Sequence, residues 1–319
     1  MSFTVRPAVR EKIGLLFGIA GASGSGKTFS ALMLAKGIAN GTGKIAVIDT
    51  EAGRALHYAP KPGEKGDGIR TFDFLHIDFP PPFTPERYIE AIRAAEGAGA
   101  TVIVIDSMSH EWDGEGGCAD MADADPSWKT PKKRHKRMMA RLIQTRTHLI
   151  FCLRAQEKVK FVKNPKTGKN DIVPMGFMPI CEKSFMFELS GSMTMHPESP
   201  GQPRYDLPHK LNDDLRGIFA EGDRVGPDAG KRLRLWAESG EDRPPVDRVA
   251  EGVRELIERI QDADSMAALE AITADPEVMK RREWLAQKRI DLAARVTDAV
   301  NAALDALNSE EETRQEDAA

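Results

Sequence analysis

The chain is poor in cysteine, carries little net charge and has no long apolar run. Three cysteines, Cys118, Cys152 and Cys181, are spread through 319 residues. No two lie close together, so neither a disulfide framework nor a zinc site is indicated, and a reducing compartment is the natural setting. No apolar run approaches membrane-spanning length, and residues 1–12 carry charges with no long apolar stretch behind them. The expectation is a cytosolic protein with no membrane partner. A formal net charge of -4 means that bulk charge does not announce nucleic acid. There is no internal repeat. What remains is a composition of 41% apolar and 29% charged residues, suited to one large globular domain with a smaller appendage.

Along the chain, apolar runs alternate with helical spacing. Residues 13–20 (IGLLFGIA) form an apolar run ending in glycines, and FSALMLAKGIA behind them has the spacing of a buried helix. Strands are expected at 45–49, 72–78, 101–106 and 148–153, with helices at 85–96 and, rich in basic residues, near 131–147. This is the pattern of a mainly parallel sheet flanked by helices, an α/β fold. Residues 154–179 read as a long polar loop, and 183–237 as shorter strands with Gly and Pro turns that suit antiparallel pairing. Met175, Met178, Met186, Met193 and Met195 read as packing residues. The boundaries expected are a large α/β core at 1–237, a linker at 238–245, a small helical region at 246–308 and a disordered acidic tail at 309–319. Val246, Val249, Val253, Leu256 and Ile260 recur at helical spacing in the appendage, and Asp275-Pro276 is a good start for a long final helix.

Gly21-Ala22-Ser23-Gly24-Ser25-Gly26-Lys27-Thr28 satisfies G-x-x-x-x-G-K-[ST] between an expected strand and an expected helix. Glycines let successive N–H groups turn toward one point, and the helix adds its positive end, so the segment cradles a polyphosphate. Lys27 is expected to reach the β- and γ-phosphates of ATP, and the Thr28 hydroxyl to ligate Mg²⁺. Gly21, Ser23, Gly24, Ser25, Gly26, Lys27, Thr28 and the adjoining Phe29 are the expected nucleotide contacts. Val102-Ile103-Val104-Ile105-Asp106 is a buried strand ending in a carboxylate, so Asp106 joins Thr28 as the metal-side residue. Ser107 follows Asp106, so the catalytic carboxylate comes from elsewhere. Glu51, just past the strand at 45–49, is best placed, because adjacent parallel strands end at the same sheet edge.

These spaced segments, from about residue 14 to 200, resemble the RecA-like recombinase ATPases. The resemblance implies a RecA-like P-loop NTPase core in which Asp49-Thr50-Glu51 supplies the catalytic glutamate, Glu51, and Tyr58 stacks on adenine. It places a γ-phosphate sensor near the end of LIFCLRAQ, as Arg154 or Gln156. It also implies two DNA-facing loops. The first leads from about 113–130 into Lys132, Lys133 and Arg134. The second, KVKFVKNPKTGK, holds Lys158, Lys160, Phe161, Lys163, Lys166 and Lys169. Lysines and arginines neutralise phosphates, and Phe161 or Trp128 can stack on an unpaired base. His110 and Glu111 follow the strand that ends at Asp106 and could touch the attacking water or a neighbouring subunit, but a loop role apart from catalysis is the favoured reading.

With the appendage reading LIERIQDADSMAALEAI before a long charged helix, the chain resembles phage-encoded ATPases of the single-strand-annealing, Sak-type class. That likeness implies a DNA-stimulated, Mg²⁺-dependent ATPase that binds single-stranded DNA and promotes annealing or strand pairing in recombination or replication. It further implies a homo-oligomeric ring or filament, contact with other recombination or replication proteins, and a place in the cytoplasm of a bacterial host. A DNA-translocating motor or helicase is the alternative, followed by a P-loop kinase.

Overall fold

Residues 102–105 and 149–153 are apolar at every position, the mark of strands buried on both faces. In the computed structural model, which describes residues 7–124, 126–163, 168–242 and 247–317, they lie mid-sheet. The elements run β1 (Leu16–Gly21), α1 (Lys27–Ala39), β2 (Lys44–Asp49), β3 (Leu75–Asp78), α2 (Pro85–Gly97), β4 (Ala100–Asp106), α3 (Ser109–Asp113), α4 (Cys118–Ala124) and α5 (Lys129–Gln144). They continue with β5 (His148–Lys163), β6 (Asn170–Pro179), α6 (Phe185–Glu188), β7 (Gly191–Met195), α7 (Asp213–Ile218) and α8 (Pro227–Ala237). The seven-stranded sheet has the order β3-β2-β4-β5-β1-β7, parallel throughout, with β6 antiparallel to β5.

Alternation divides each strand between two cores. Val102 and Val104 join Ile19, Val47 and Ile150 in one apolar cluster with Leu32 and Leu34 of α1 and Leu233 of α8. Ile103 and Ile105 join Ile48 and Phe151 in the other, against Tyr88 and Ile92 of α2 and Met138 and Leu142 of α5. Helices therefore cover both faces, and the carboxyl ends of the central strands meet at one edge. Gly21 is in register with Arg154, Asp49 with Asp106, and Asp106 with Cys152.

Two stretches depart from expectation. Residues 154–163 and 170–179 are strand, not polar loop: β5 runs on to Lys163 and pairs with β6, because Lys158–Lys163 alternates lysine with apolar residues and finds a partner in Ile172 and Val173. Residues 183–237 hold one strand, β7, which pairs in parallel with β1, and three helices; the antiparallel pairing is reduced to the isolated bridges Ser192 with Lys210 and Met195 with Pro203. Helix α8 has Pro227 at its first turn and buries Leu233 and Ala237 on one side, a helical period that the surrounding Gly and Pro residues obscured. Met193 and Met195 are core residues, whereas Met175 is exposed.

The chain divides into two units at Asp242/Arg243. Within the first unit, Glu241 is paired to the segment before β1, its N–H donating to the Arg10 carbonyl and its own carbonyl accepting from Lys12 N–H. The second unit comprises α9 (Arg248–Gln261), α10 (Met266–Thr273), α11 (Pro276–Lys288) and α12 (Ile290–Asp317). Asp247, Ser265 and Asp275 cap the first three, and Val253, Leu256, Ile260, Leu285, Leu292 and Val296 form a core of their own. The final helix is broken at Arg289 into α11 and α12. Helical backbone extends to Asp317, through a stretch expected to be disordered, whose Glu, Gln and Arg are good helix formers. Val246 lies outside the described residues. No helix among the described residues is long and apolar enough to cross a membrane.

Candidate nucleotide site

The loop between β1 and α1 owes its shape to glycine. Gly24 and Gly26 have φ of 81° and 84°, in the left-handed region that other residues avoid. Gly26 is the residue at which the chain turns into α1, leaving the first-turn N–H groups of that helix without intrahelical acceptors at the sheet edge. Lys27 opens the helix and donates from Nζ to the carbonyl of Ala22 at 3.1 Å, so its ammonium lies across the loop. The Ser25 hydroxyl is buried there with no hydrogen-bond partner among the described residues.

A cleft of about 670 Å³ opens over this loop, lined by Gly21, Ser23, Gly24, Gly26, Lys27 and Thr28, by Glu51, Arg54 and Tyr58 from the segment after β2, and by Asp106 of β4 and Arg154 of β5. That volume falls within the range of small-molecule sites. On its floor Thr28 Oγ1 donates to Asp106 Oδ2 at 2.5 Å. Burial pushes the Asp106 carboxyl up to about 6, opposed by the Thr28 hydrogen bond and the Lys27 charge and aided by Glu51 and Asp49. A hydroxyl beside a carboxylate is a hard oxygen donor pair, so these residues fit Mg²⁺.

Glu51 is held by its own backbone: Asp49 Oδ1 accepts from Glu51 N at 2.8 Å, and Asp49 Oδ2 accepts from Ala55 N at 2.9 Å, tying down the turn that carries Glu51. Its carboxylate pairs with Arg54 at 3.1 Å and lies 3.9 Å from His110 Nε2. Tyr58 stands on the cleft wall, half-buried, its phenol pKa raised by burial and then by Asp106. Phe29 lies outside the cleft lining and packs against Tyr58 and Phe72, with ring centroids 5.9 and 6.0 Å away; it supports the tyrosine instead of touching the cleft, because it points into the α1 core.

A family model described as AAA domain matches residues 14–178, just over half of the chain. This chain belongs to the AAA domain family. The match spans β1 to β6 and so takes in the phosphate loop, the Asp106 strand and the β5–β6 hairpin. No curated protein matches the chain. An AAA domain with this loop and this mainly parallel sheet is an α/β P-loop NTPase fold, which implies nucleotide binding and ATPase chemistry.

In this AAA domain Arg154, not Gln156, reaches the nucleotide cleft. Arg154 lines the cleft beside Ala155, the last buried residue of β5, whereas Gln156 lies on the exposed hairpin. The guanidinium donates to His110 Nε2 at 2.8 Å and to Asp113 Oδ2 at 3.1 Å. With Nε2 accepting, His110 carries its proton on Nδ1 and donates to Thr50 Oγ1 at 2.8 Å. Burial lowers the His110 pKa, opposed by the Glu51 charge and aided by that of Arg154. His110 thus stands between Glu51 and Arg154, the less favoured of the two readings of its place after Asp106. His110→Ala is expected to slow ATP turnover by about tenfold to hundredfold, the scale of a slight misplacement of a reacting group. Nucleotide affinity measured by titration should change little, because the phosphate loop is untouched.

The two basic segments of the AAA domain differ. Lys132 and Lys133 are exposed on α5, but Arg134 is taken up by Glu86 in a forked pair at 2.9 and 2.5 Å and reads as a structural residue, not a DNA contact. Trp128 stacks on Trp112 with centroids 5.4 Å apart, so its face is engaged within the chain. On the hairpin, Lys158, Lys160, Lys163 and Lys169 are all exposed, and Phe161 is 67% exposed opposite Ile172 at 63%. Lys166 lies outside the described residues.

Proposed function

We propose that this protein is an ATP-dependent single-stranded-DNA-binding ATPase of the phage single-strand-annealing type, which promotes annealing or strand pairing during recombination or replication and works as a homo-oligomeric ring or filament. The observation that carries the reading is the continuity of β5. One strand presents Arg154 to the nucleotide cleft and, from Gln156 onward, becomes a two-stranded ribbon with lysines and unpartnered apolar side chains exposed. A lone hairpin is marginal in water, so a ribbon with Phe161, Ile172, Val159 and Val162 exposed calls for something to cover it. Single-stranded DNA supplies both phosphates for the lysines and base faces for Phe161.

At the cleft, Lys27 and the loop amides bind the triphosphate, Thr28 and Asp106 hold Mg²⁺, and Tyr58 flanks the base. The metal, when bound, offsets negative charge on the phosphate oxygens. Glu51 accepts a proton from the attacking water, and Arg154, oriented by His110 and Asp113, meets the γ-phosphate. Binding of DNA to the ribbon bears on the strand that holds Arg154, which gives stimulation a physical route.

The test is a variant in which Lys158, Lys160, Lys163 and Lys169 are replaced by Glu. Basal ATP turnover should persist while stimulation by single-stranded DNA disappears. Loss of four phosphate contacts should flatten the slope of log affinity against log salt by about 3, at roughly 0.7 per contact. Normal DNA binding with an unchanged salt slope would overturn the reading. Annealing of complementary strands without displacement of a paired strand separates it from a motor.

A further inference from the structure

We propose that Glu111, Cys118 and His135 form a binding site for one zinc-type divalent transition-metal ion, which pins α3, α4 and α5 together. The three residues come from three successive helices, and one ligand atom from each lies within 4.8 Å of the other two. All three residues are buried, at 2%, 0% and 3% exposure respectively. Cys118 Sγ is 3.2 Å from Glu111 Oε1, and His135 Nδ1 is 3.0 Å from the same oxygen. Zinc bonds of about 2.0 Å to nitrogen or oxygen and about 2.3 Å to sulfur separate tetrahedral ligand atoms by roughly 3.2–3.6 Å. A small outward adjustment of the three side chains therefore admits the ion.

Two further observations favour a metal over a plain hydrogen-bonded triad. The first is the unused nitrogen of His135. Nε2 is buried with no hydrogen-bond partner among the described residues, and Glu182 Oε2 lies 3.9 Å from it. A histidine that ligates through Nδ1 carries its proton on Nε2 and characteristically directs it at a carboxylate, the place Glu182 occupies. In the triad alone, Nδ1 keeps the proton for Glu111 and Nε2 is left as an unsatisfied acceptor. The second is the choice of cysteine. A thiol is a weak donor to a buried carboxylate, but a thiolate is a strong ligand for zinc. On binding, the Cys118 S–H bond breaks, its proton goes to solvent and an S–metal bond forms. Thiolate, carboxylate and neutral imidazole then balance the doubly charged ion, so a net-neutral group is buried. Because α3 also carries His110 and Asp113, the ion would stiffen the element that orients Arg154.

The experiment uses the full chain, free of any histidine tag, stripped with a chelator and titrated with Co²⁺ and then Zn²⁺. One equivalent of Co²⁺ should give the intense visible bands of a tetrahedral site and a near-ultraviolet sulfur-to-cobalt band, both bleached by Zn²⁺. Zn²⁺ should also raise the melting temperature. X-ray absorption of the Zn²⁺-loaded wild type should show one sulfur in a shell otherwise of nitrogen and oxygen, a readout that needs no variant to fold. Cys118→Ser should abolish the sulfur-to-cobalt band, and His135→Gln should weaken Zn²⁺ binding by at least about tenfold. A metal shell without sulfur, a sulfur band that survives Cys118→Ser, or the absence of stoichiometric uptake by the wild type would each overturn the proposal.

Discussion

Glu51→Gln is expected to slow ATP turnover by about 10²–10⁴-fold while leaving ATP binding close to that of the unaltered protein, because a positioned general base contributes on that scale. The amide keeps the size and hydrogen-bonding reach of the carboxylate and removes only its basicity. What else the substitution disturbs is small. The Glu51–Arg54 pair has its arginine side chain 73% exposed, and such a surface pair is worth about 0–1 kcal/mol. The backbone that places Glu51 does not depend on its side chain, since Asp49 accepts from Glu51 N and Ala55 N. Single-turnover rates with nucleotide titration separate the effects: a rate loss at constant affinity identifies a group that acts in the transition state. Turnover within about threefold of wild type would remove Glu51 from that role. Arg54→Ala, which breaks the same pair, serves as the control and should alter the rate only slightly.

The nucleotide cleft was legible because its chemistry is local in sequence. The phosphate loop is eight consecutive residues, Asp106 ends a run of apolar residues that reads as a strand, and Glu51 lies two residues past another such run that ends at Asp49. Parallel pairing then brings strand ends together, and Asp49 does stand beside Asp106. What stayed hidden depends on partners distant in sequence. Lys158–Lys163 alternates like a strand, but strand and solvated loop differ only by the presence of Asn170–Met175 across from it. Arg134 is indistinguishable in sequence from the lysines beside it, and only Glu86 of another helix, 2.9 Å away, sets it apart. Phe29 follows the phosphate loop directly, yet the helical turn sends it behind Tyr58. Glu111, Cys118 and His135 match no ligand spacing, and their convergence is a product of how α3, α4 and α5 fold back on one another.

Lys27→Ala is expected to damage both steps that Glu51→Gln separates: weaker ATP binding and a loss of turnover of about 10²–10³-fold, the cost of removing one pre-set donor from developing charge. The ammonium already rests on the loop, 3.1 Å from the Ala22 carbonyl, so a bound triphosphate would meet it with little rearrangement. The change should leave the fold intact, since the shape of the loop comes from Gly24 and Gly26 and the helix behind it is anchored by Leu32, Leu34 and Ile38. An unchanged thermal melt without nucleotide, together with loss of the ATP-induced rise in melting temperature, is the expected pair of results. Lys27→Arg should not rescue turnover, because a planar guanidinium cannot take the place of a compact ammonium at the end of a flexible stem. If Lys27→Ala retained the ATP-induced shift in full, the triphosphate would have to be held somewhere other than the glycine loop, and the assignment of Thr28, Asp106 and Glu51 would fall with it.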